Sequence, residues 1–142
     1  MLNVLIGYPM STTAEKENER ILLLINEDKT FLRLTKILLE TEKFTVLCAE
    51  SGEDGIGQFL MHQDRIDLVV CDANILNDRD RKTISRLKDL KPEIQIILCA
   101  NSDEIQCCEE EVRSAEMVVI MKPYTTMTII EYAKNYFLYR NN

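Results

Sequence analysis

The sequence predicts an α/β domain of the (βα)5 doubly wound class, in which a five-stranded parallel sheet carries helices on both faces. Five short apolar runs alternate along the chain with amphipathic segments, the order expected of repeated strand–helix units. The runs are almost free of polar residues, as strands are when a parallel sheet is covered on both sides. The handedness rule for parallel crossovers then distributes the helices over the two faces.

The five apolar runs also give the strand boundaries, because each is too short for a typical helix and rich in Ile, Val and Leu. We predict strands near residues 20–26, 44–49, 66–72, 94–99 and 117–121.

The first two helices are predicted from apolar spacing and a capping signal. Four apolar residues recur at helical intervals after Thr30 and define the expected apolar face of the first helix: Phe31, Leu34, Ile37 and Leu38. Ser51 precedes an acidic first turn and offers a side-chain cap for the second helix.

Three further helices follow. The third is marked by Ile84, Leu87 and Leu90 and ends before Pro92. Ser102-Asp103-Glu104 is the expected cap of a fourth helix, and Thr125-Thr126 precedes a fifth, which runs to about residue 139.

Composition limits the classes of protein that the chain can represent. Its 142 residues, 46% hydrophobic and 29% charged, suit one globular domain with a real core. A formal net charge of −7 argues against direct nucleic-acid binding, which needs a basic face. No apolar run approaches the roughly 18 residues of a membrane span, and the amino terminus lacks a signal pattern. We therefore predict a cytoplasmic protein without direct nucleic-acid or membrane contacts.

The five cysteines are odd in number, and three of them (Cys48, Cys71 and Cys99) fall in or at the end of predicted buried strands. This usage predicts reduced thiols rather than a disulfide framework. Cys107 and Cys108 lack a second pair or a nearby histidine, so a helix-face interpretation is favoured over a metal or redox pair.

The chain is expected to divide into an arm and a domain. Residues 9–20 are polar and charged without periodicity, which predicts an N-terminal arm over residues 1–19 that lacks regular structure. The folded domain is predicted to cover residues 20–140.

Polar residues follow four of the predicted strands at their carboxyl ends. Asn26 and Glu27 follow the apolar run of the first strand, Asp72 ends the third, Cys99-Ala100-Asn101 follows the apolar run of the fourth, and Lys122 follows the fifth. In open parallel sheets the functional crevice lies beyond these ends. Two carboxylates and a lysine converging there predict a site for a divalent cation and a phosphoryl group.

Residues 20–140 resemble the receiver domain of two-component response regulators. The resemblance rests on three motifs in the family's order and spacing: residues 21–46 around Asn26-Glu27, residues 66–72 ending in Asp72, and Met121-Lys122-Pro123-Tyr124. It implies a flavodoxin-like receiver fold with strand order 2-1-3-4-5. It also implies that Asp72 is the phospho-acceptor, that Lys122 pairs with the phosphoryl group, and that the Lys122–Pro123 peptide is cis.

The resemblance implies a Mg²⁺ site with one unusual ligand. The implied ligands are Glu27, Asp72 and the main-chain carbonyl of Asn74, with Asn26 taking part indirectly. Asn26 is a neutral amide where the family has a carboxylate, and Mg²⁺ tolerates misplaced ligands poorly. We therefore expect Mg²⁺ binding to be weak or absent. Asp28 could replace Asn26 only by a one-residue slip, which would misplace Phe31, Leu34 and Leu38 on the first helix.

The family's output switch is altered as well. Cys99 stands where the family has a serine or threonine that bonds to the phosphoryl group, and a thiol is a weak donor. Val119 stands where the family has a switch aromatic. The usual relay from phosphate to the fourth strand cannot operate here unchanged.

Two functions remain open from the sequence. The first is a signalling receiver that accepts phosphate on Asp72 from a sensor histidine kinase or a phosphotransfer protein and acts on an output domain or partner protein. The second is a pseudo-receiver, a binding module independent of phosphorylation. Either is a signalling domain rather than an enzyme, with self-phosphorylation and self-dephosphorylation as its most extensive chemistry. A flavin or nucleotide binder is disfavoured, because an acidic first loop repels phosphate.

The last predicted helix offers a contact surface. Three tyrosines recur there at helical spacing (Tyr132, Tyr136 and Tyr139), while the family's core positions are filled by Ile129, Ile130, Ala133 and Phe137. We expect part of the tyrosine stripe to be exposed and to serve as a partner surface, with a homodimer through the last helix as one form.

Overall fold

The computed structural model describes residues 19–76, 82–115 and 117–140. Within these residues five parallel strands form one sheet in the order β2-β1-β3-β4-β5, which confirms the predicted fold class and strand order. The strands are β1 (Ile21–Ile25), β2 (Thr45–Ala49), β3 (Ile66–Asp72), β4 (Gln95–Ala100) and β5 (Val118–Met121). Each begins and ends within one residue of its predicted bounds. The predicted arm lies outside the described residues except for Glu19.

The helices lie between the strands as predicted, with one addition. The structure has α1 (Lys29–Thr41), α2 (Gly52–His62), α3 (Thr83–Leu90), α4 (Ser102–Cys107), α5 (Glu109–Ala115) and α6 (Thr126–Arg140), and a 3₁₀ turn at Ala73–Leu76. The fourth predicted helix is thus two short helices, α4 and α5. The break is at Cys108, which leaves helical geometry at φ −118°, ψ 29°.

The sheet separates two hydrophobic cores. On one face, side chains such as Ile25 and Leu98 pack against Phe59 of α2 and Leu87 of α3. On the other, alternate strand residues pack against α1 and α6, whose buried contributors include Phe137. Burying apolar groups on both faces is what holds a parallel sheet together and explains the uninterrupted apolar strands.

The predicted face of α1 is wrong except for Phe31, which is partly buried against the core. Leu34, Ile37 and Leu38 are 55%, 52% and 41% exposed, and the buried residues of this helix are Leu32, Thr35 and Leu39. The exposed residues form an outer stripe along the helix and the buried residues an inner stripe, and both stripes have helical periodicity. The inner stripe contains a threonine, Thr35. Apolar spacing therefore selects the outer stripe, although the inner one packs against the sheet, mainly at β2, and against α6.

The caps and the core of the other helices agree more closely with the sequence. Ser51 caps α2 by accepting from the Asp54 amide at 3.0 Å. The cap of α4 is Asn101 rather than Ser102, because the Asn101 side chain accepts from the Glu104 amide at 2.8 Å. On α6 the four expected core residues are all buried: Ile129, Ile130, Ala133 and Phe137.

The strand register brings the polar strand ends together. Asp72 lies beside Cys99 in the β3–β4 pairing, and Asn26 directly follows β1, the neighbour of β3 on its other side. The Lys122 amide donates to the Ala100 carbonyl at 2.9 Å, which fixes the segment after β5 against the end of β4. No helix of the described residues is long and apolar enough to cross a membrane.

Lys43 occupies a backbone conformation that favours glycine, just after α1, with φ 73°. An L-residue pays about 1–2 kcal/mol there, whereas glycine loses only about 0.5–1 kcal/mol more backbone entropy on folding. We expect Lys43→Gly to raise the free energy of unfolding by about 0.5–1 kcal/mol, measured by urea denaturation. Lys43→Ala, which keeps the strained conformation, is the control. Equal stabilities of the two variants would refute the conformational origin.

Candidate functional site

Asp72 is the centre of the polar cluster at the carboxyl edge of the sheet. It ends β3 and is buried, with 7% of its surface exposed. Its Oδ1 accepts from the Asn74 amide at 2.8 Å and from the Lys122 ammonium at 3.0 Å. Its Oδ2 accepts a longer bond, 3.4 Å, from Asn26 Nδ2. Three of the site residues suggested by the sequence therefore meet at one carboxylate.

Lys122 reaches Asp72 from the far side of β4. The Lys122–Pro123 peptide is cis, as predicted, and the backbone of Lys122 is tied to β4 through Ala100. The Lys122 side chain is 23% exposed, so its ammonium is partly shielded from water. A shielded cation beside a shielded carboxylate interacts more strongly than a surface pair.

Glu104 also belongs to this cluster, although the sequence predicts for it only a place at the start of a helix. Its Oε1 lies 3.2 Å from Lys122 Nζ and its Oε2 lies 3.4 Å from the same atom. Oε1 also accepts from the Asn101 amide at 2.8 Å, which completes a reciprocal capping box on α4. An Asn-x-x-Glu pattern directly after a strand was the available signal. It predicts the cap but not the contact with Lys122.

The two carboxylates set the charge state of Lys122. Burial by itself lowers the pKa of this ammonium, but hydrogen bonds and charge from Asp72, and then from Glu104, raise the pKa above its ordinary value. The ammonium is therefore protonated throughout the physiological range.

The groups after β1 do not form a ready Mg²⁺ site. Asn26 turns its amide nitrogen to Asp72, while its oxygen accepts from the Asp28 amide at 2.9 Å. Glu27 is exposed, and Asp28 caps α1 by accepting from two amides of the first turn. Among the described residues no three His, Cys, Asp or Glu side chains are placed to hold a metal ion together. As arranged, the cluster does not fit the two-carboxylate Mg²⁺ site of the family.

The structure also shows whether a one-residue slip brings Asp28 to the position expected for Asn26. The helical-face argument against the slip was wrong, since Leu34 and Leu38 are exposed. The structure nevertheless puts Asn26, not Asp28, against Asp72.

Cys99 lies next to Asp72 and is a neutral thiol. It is 1% exposed, and burial raises its pKa to about 12 even though a hydrogen bond with the Tyr124 hydroxyl opposes the shift. Burial and the same contact raise the pKa of Tyr124. The Tyr124 ring meets Phe31 of α1 edge to face, 6.2 Å between centroids. All five cysteines are described, and all are free thiols.

The structure also places Val119 and the tyrosine stripe of α6. Val119, at the place of the family's switch aromatic, packs partly buried against the core on the α2–α3 face. On α6, Tyr132 and Tyr139 are exposed, whereas Tyr136 packs edge to face on Phe137. Part of the tyrosine stripe is thus exposed, as expected.

The sequence of the chain matches the family described as the response regulator receiver domain over residues 22–134. The chain belongs to this family. Receiver domains are signalling domains of two-component systems, and in this one Asp72, Lys122 and Glu104 meet at the carboxyl edge of the sheet.

Individual relatives of this receiver domain are distant. A probable C4-dicarboxylate response regulator of Bacillus subtilis is 22% identical over 118 residues, which are 83% of this chain and 52% of that protein. The chain therefore spans about half the length of that relative.

Solved structures agree on the fold. A receiver domain protein from Clostridium thermocellum superposes with a TM-score of 0.75 at 20% identity, over 86% of this chain and 97% of that one. A response regulator of Burkholderia pseudomallei, solved with a phosphorylated aspartic acid, a calcium ion and citrate, superposes with a TM-score of 0.62 at 19% identity, over 79% and 65% of the two chains. At these identities the likeness shows the fold alone.

The amide of Asn26 generates a testable prediction on metal binding. Asn26→Asp should place a second carboxylate beside Asp72 and strengthen Mg²⁺ or Mn²⁺ binding by about tenfold, since divalent cations prefer anionic oxygen ligands. Calorimetric titration measures the change. Asp28→Asn, which alters the exposed cap, is the control and should not strengthen binding. An unchanged affinity in Asn26→Asp would mean that this side chain does not face a bound ion.

Proposed function

We propose that this receiver domain accepts a phosphoryl group on Asp72 from a phosphohistidine of a sensor kinase or phosphotransfer protein. The observation that carries the proposal is the 3.0 Å contact of the Lys122 ammonium with a carboxylate that is 7% exposed. A cation held at that distance by two strand ends is placed to stabilise added negative charge.

In this proposal Asp72 Oδ2 is the nucleophile, because its hydrogen bond is the weaker of those on the carboxylate. An Oδ2–P bond forms while the P–N bond of the phosphohistidine breaks, and the electron pair of that bond stays on the imidazole, which takes a proton from water. The Asn74 amide and Lys122 hold Oδ1, so the carboxylate is aimed rather than free to rotate. Lys122 then pairs with a phosphoryl oxygen as a compact charge.

The expected weak or absent Mg²⁺ binding stays a prediction. Receiver domains typically bind Mg²⁺ at their phosphorylation site, but here an amide nitrogen faces Asp72 and Glu27 is exposed. We propose that the metal contributes less in this chain than in the family, in line with weak or absent binding.

The partners follow from the same role. Response regulators interact with histidine kinases and with output domains, and we propose both for this chain, in the cytoplasm. A homodimer through Tyr132 and Tyr139 of α6 is a further proposal. Sedimentation of a Tyr139→Ala variant tests it, since removing a side chain that is 76% exposed should weaken association without unfolding the domain.

The pseudo-receiver remains a second candidate, and one observation favours it. Asn26 and Lys122 already satisfy both oxygens of Asp72, so the site is a complete hydrogen-bonded cluster without any phosphate. In that case the domain acts through its surfaces alone.

The primary prediction is a single phosphate on Asp72. Incubation of the domain with acetyl phosphate and Mg²⁺ should add about 80 Da, the mass of one phosphoryl group, because the site combines a nucleophile with a fixed cation. Intact-protein mass spectrometry detects the addition. Asp72→Asn should gain nothing, and Asp67→Asn on the same strand should behave as wild type.

Two results would contradict the proposal in different ways. Phosphate on Asp72→Asn would move the acceptor elsewhere. No phosphate on the wild type, from acetyl phosphate or from phosphorylated phosphotransfer proteins, would leave the pseudo-receiver as the function.

A further inference from the structure

We propose that Glu104 and Lys122 form an electrostatic output switch, in which phosphate on Asp72 withdraws Lys122 from Glu104 and loosens helix α4. The inference rests on the proposed function. It assigns to Glu104 a positioning role, and to α4 the role of the element that reports the state of Asp72.

The first step is that one ammonium serves two carboxylates. Lys122 Nζ lies 3.0 Å from Asp72 Oδ1 and 3.2 Å from Glu104 Oε1, and the two carboxylate side chains are 9% and 11% exposed. A lysine has three N–H donors and no more. Because Nζ also lies 3.4 Å from Glu104 Oε2, the two carboxylates already offer three acceptor oxygens to these three donors. A new acceptor at Asp72 must therefore compete with Glu104 for them.

The second step is the change of charge. With both carboxylates ionised and Lys122 protonated, the trio carries a net charge of about −1. An acyl phosphate in place of the Asp72 carboxylate brings up to two negative charges and three strong acceptor oxygens. The phosphoryl group thus attracts Lys122 and at the same time repels Glu104, because both anions lie in a partly shielded site.

The third step links Glu104 to the helix. Its Oε1 accepts from the Asn101 amide, and its own amide donates to the Asn101 side chain, so Glu104 is half of the capping box of α4. The helix is six residues long and has little stability of its own. Its few backbone bonds include Ile105 N–H to Asn101 and Cys108 N–H to Glu104. Displacing Glu104 should weaken these bonds.

The proposed switch would replace the family's relay, whose hydroxyl and aromatic residues are absent at positions 99 and 119. Cys99 is a buried neutral thiol that is hydrogen-bonded to Tyr124. Val119 has no aromatic ring that could move between two positions. Glu104 of α4 instead contacts Lys122, the lysine that also contacts Asp72. In this switch Asp72 therefore acts on α4 through electrostatic interactions, and not through a hydroxyl group and an aromatic ring.

The test compares amide exchange of wild type with and without phosphate, at Ile105 and Cys108, by NMR. Mass spectrometry of the same samples gives the phosphorylated fraction. Phosphorylation should accelerate exchange at both amides by about tenfold, the effect expected when a charge-assisted hydrogen bond is lost. Phosphorylated protein with unchanged exchange at both amides would overturn the switch and leave the proposed function intact.

Two variants isolate Glu104. Glu104→Gln keeps the capping box, which glutamine also forms, but removes the charge, so phosphorylation should change exchange by less than about twofold. Asp103→Asn loses a charge on the same helical turn and should respond as wild type. A full wild-type response in Glu104→Gln would overturn the role of its charge.

A third comparison needs no phosphate. Lys122→Met should accelerate exchange at Ile105 and Cys108 by about tenfold, because it frees Glu104 directly. Unchanged exchange would overturn the inference by itself. Absence of phosphate on the wild type would overturn the proposed function instead, and the Lys122→Met comparison then decides whether Lys122 restrains α4.

Discussion

The carboxyl edge of this domain depends on one cation shared by two shielded carboxylates. Asp72 and Glu104 come from different elements, β3 and α4, and both contact the Lys122 ammonium. Removing a charge from water is costly unless an opposite charge and hydrogen bonds compensate for it. Lys122 provides that compensation, and the backbone that carries it is fixed to β4. The positions of β3, α4 and the segment after β5 are therefore coupled through one side chain.

The neutral side chain of Asn26, where the family has a carboxylate, is consistent with this distribution of charge. A carboxylate at that position would add a third anion to a site with one lysine, and a divalent ion would be needed to balance it. The amide instead donates a hydrogen bond to Asp72 Oδ2. The chain thus places neutral hydrogen bonding on the β1 side of Asp72 and a second carboxylate on the α4 side.

The sequence predicted the sheet well because its signals are local and redundant. Each strand is a largely apolar run that ends in a polar residue or is directly followed by one, and the strand ends were predicted to within one residue. The face of α1 was not predictable from the same signals, because Thr35 interrupts the buried stripe while Leu34, Ile37 and Leu38 form a more apolar stripe outside. Only packing against the sheet and α6 decides between the two.

The role of Glu104 could not be predicted from the sequence for a different reason. Its pairing with Asn101 is local and leaves a recognisable capping pattern, whereas its contact with Lys122 joins residues eighteen apart in the chain. That contact depends on where α4 starts relative to β5, which no short motif encodes. Asp72 and Lys122 were predictable because each stands at the carboxyl end of an apolar run and because the family resemblance fixes both positions. The contact between Glu104 and Lys122 has no such marker.

The most direct measurement is the coupling free energy between Lys122 and Glu104, from urea denaturation of wild type, Lys122→Met, Glu104→Gln and the double variant. If the ammonium compensates the Glu104 carboxylate, Lys122→Met should be markedly less destabilising in the Glu104→Gln background, with a coupling of about 1–2 kcal/mol. Additive effects, with a coupling below about 0.5 kcal/mol, would contradict it.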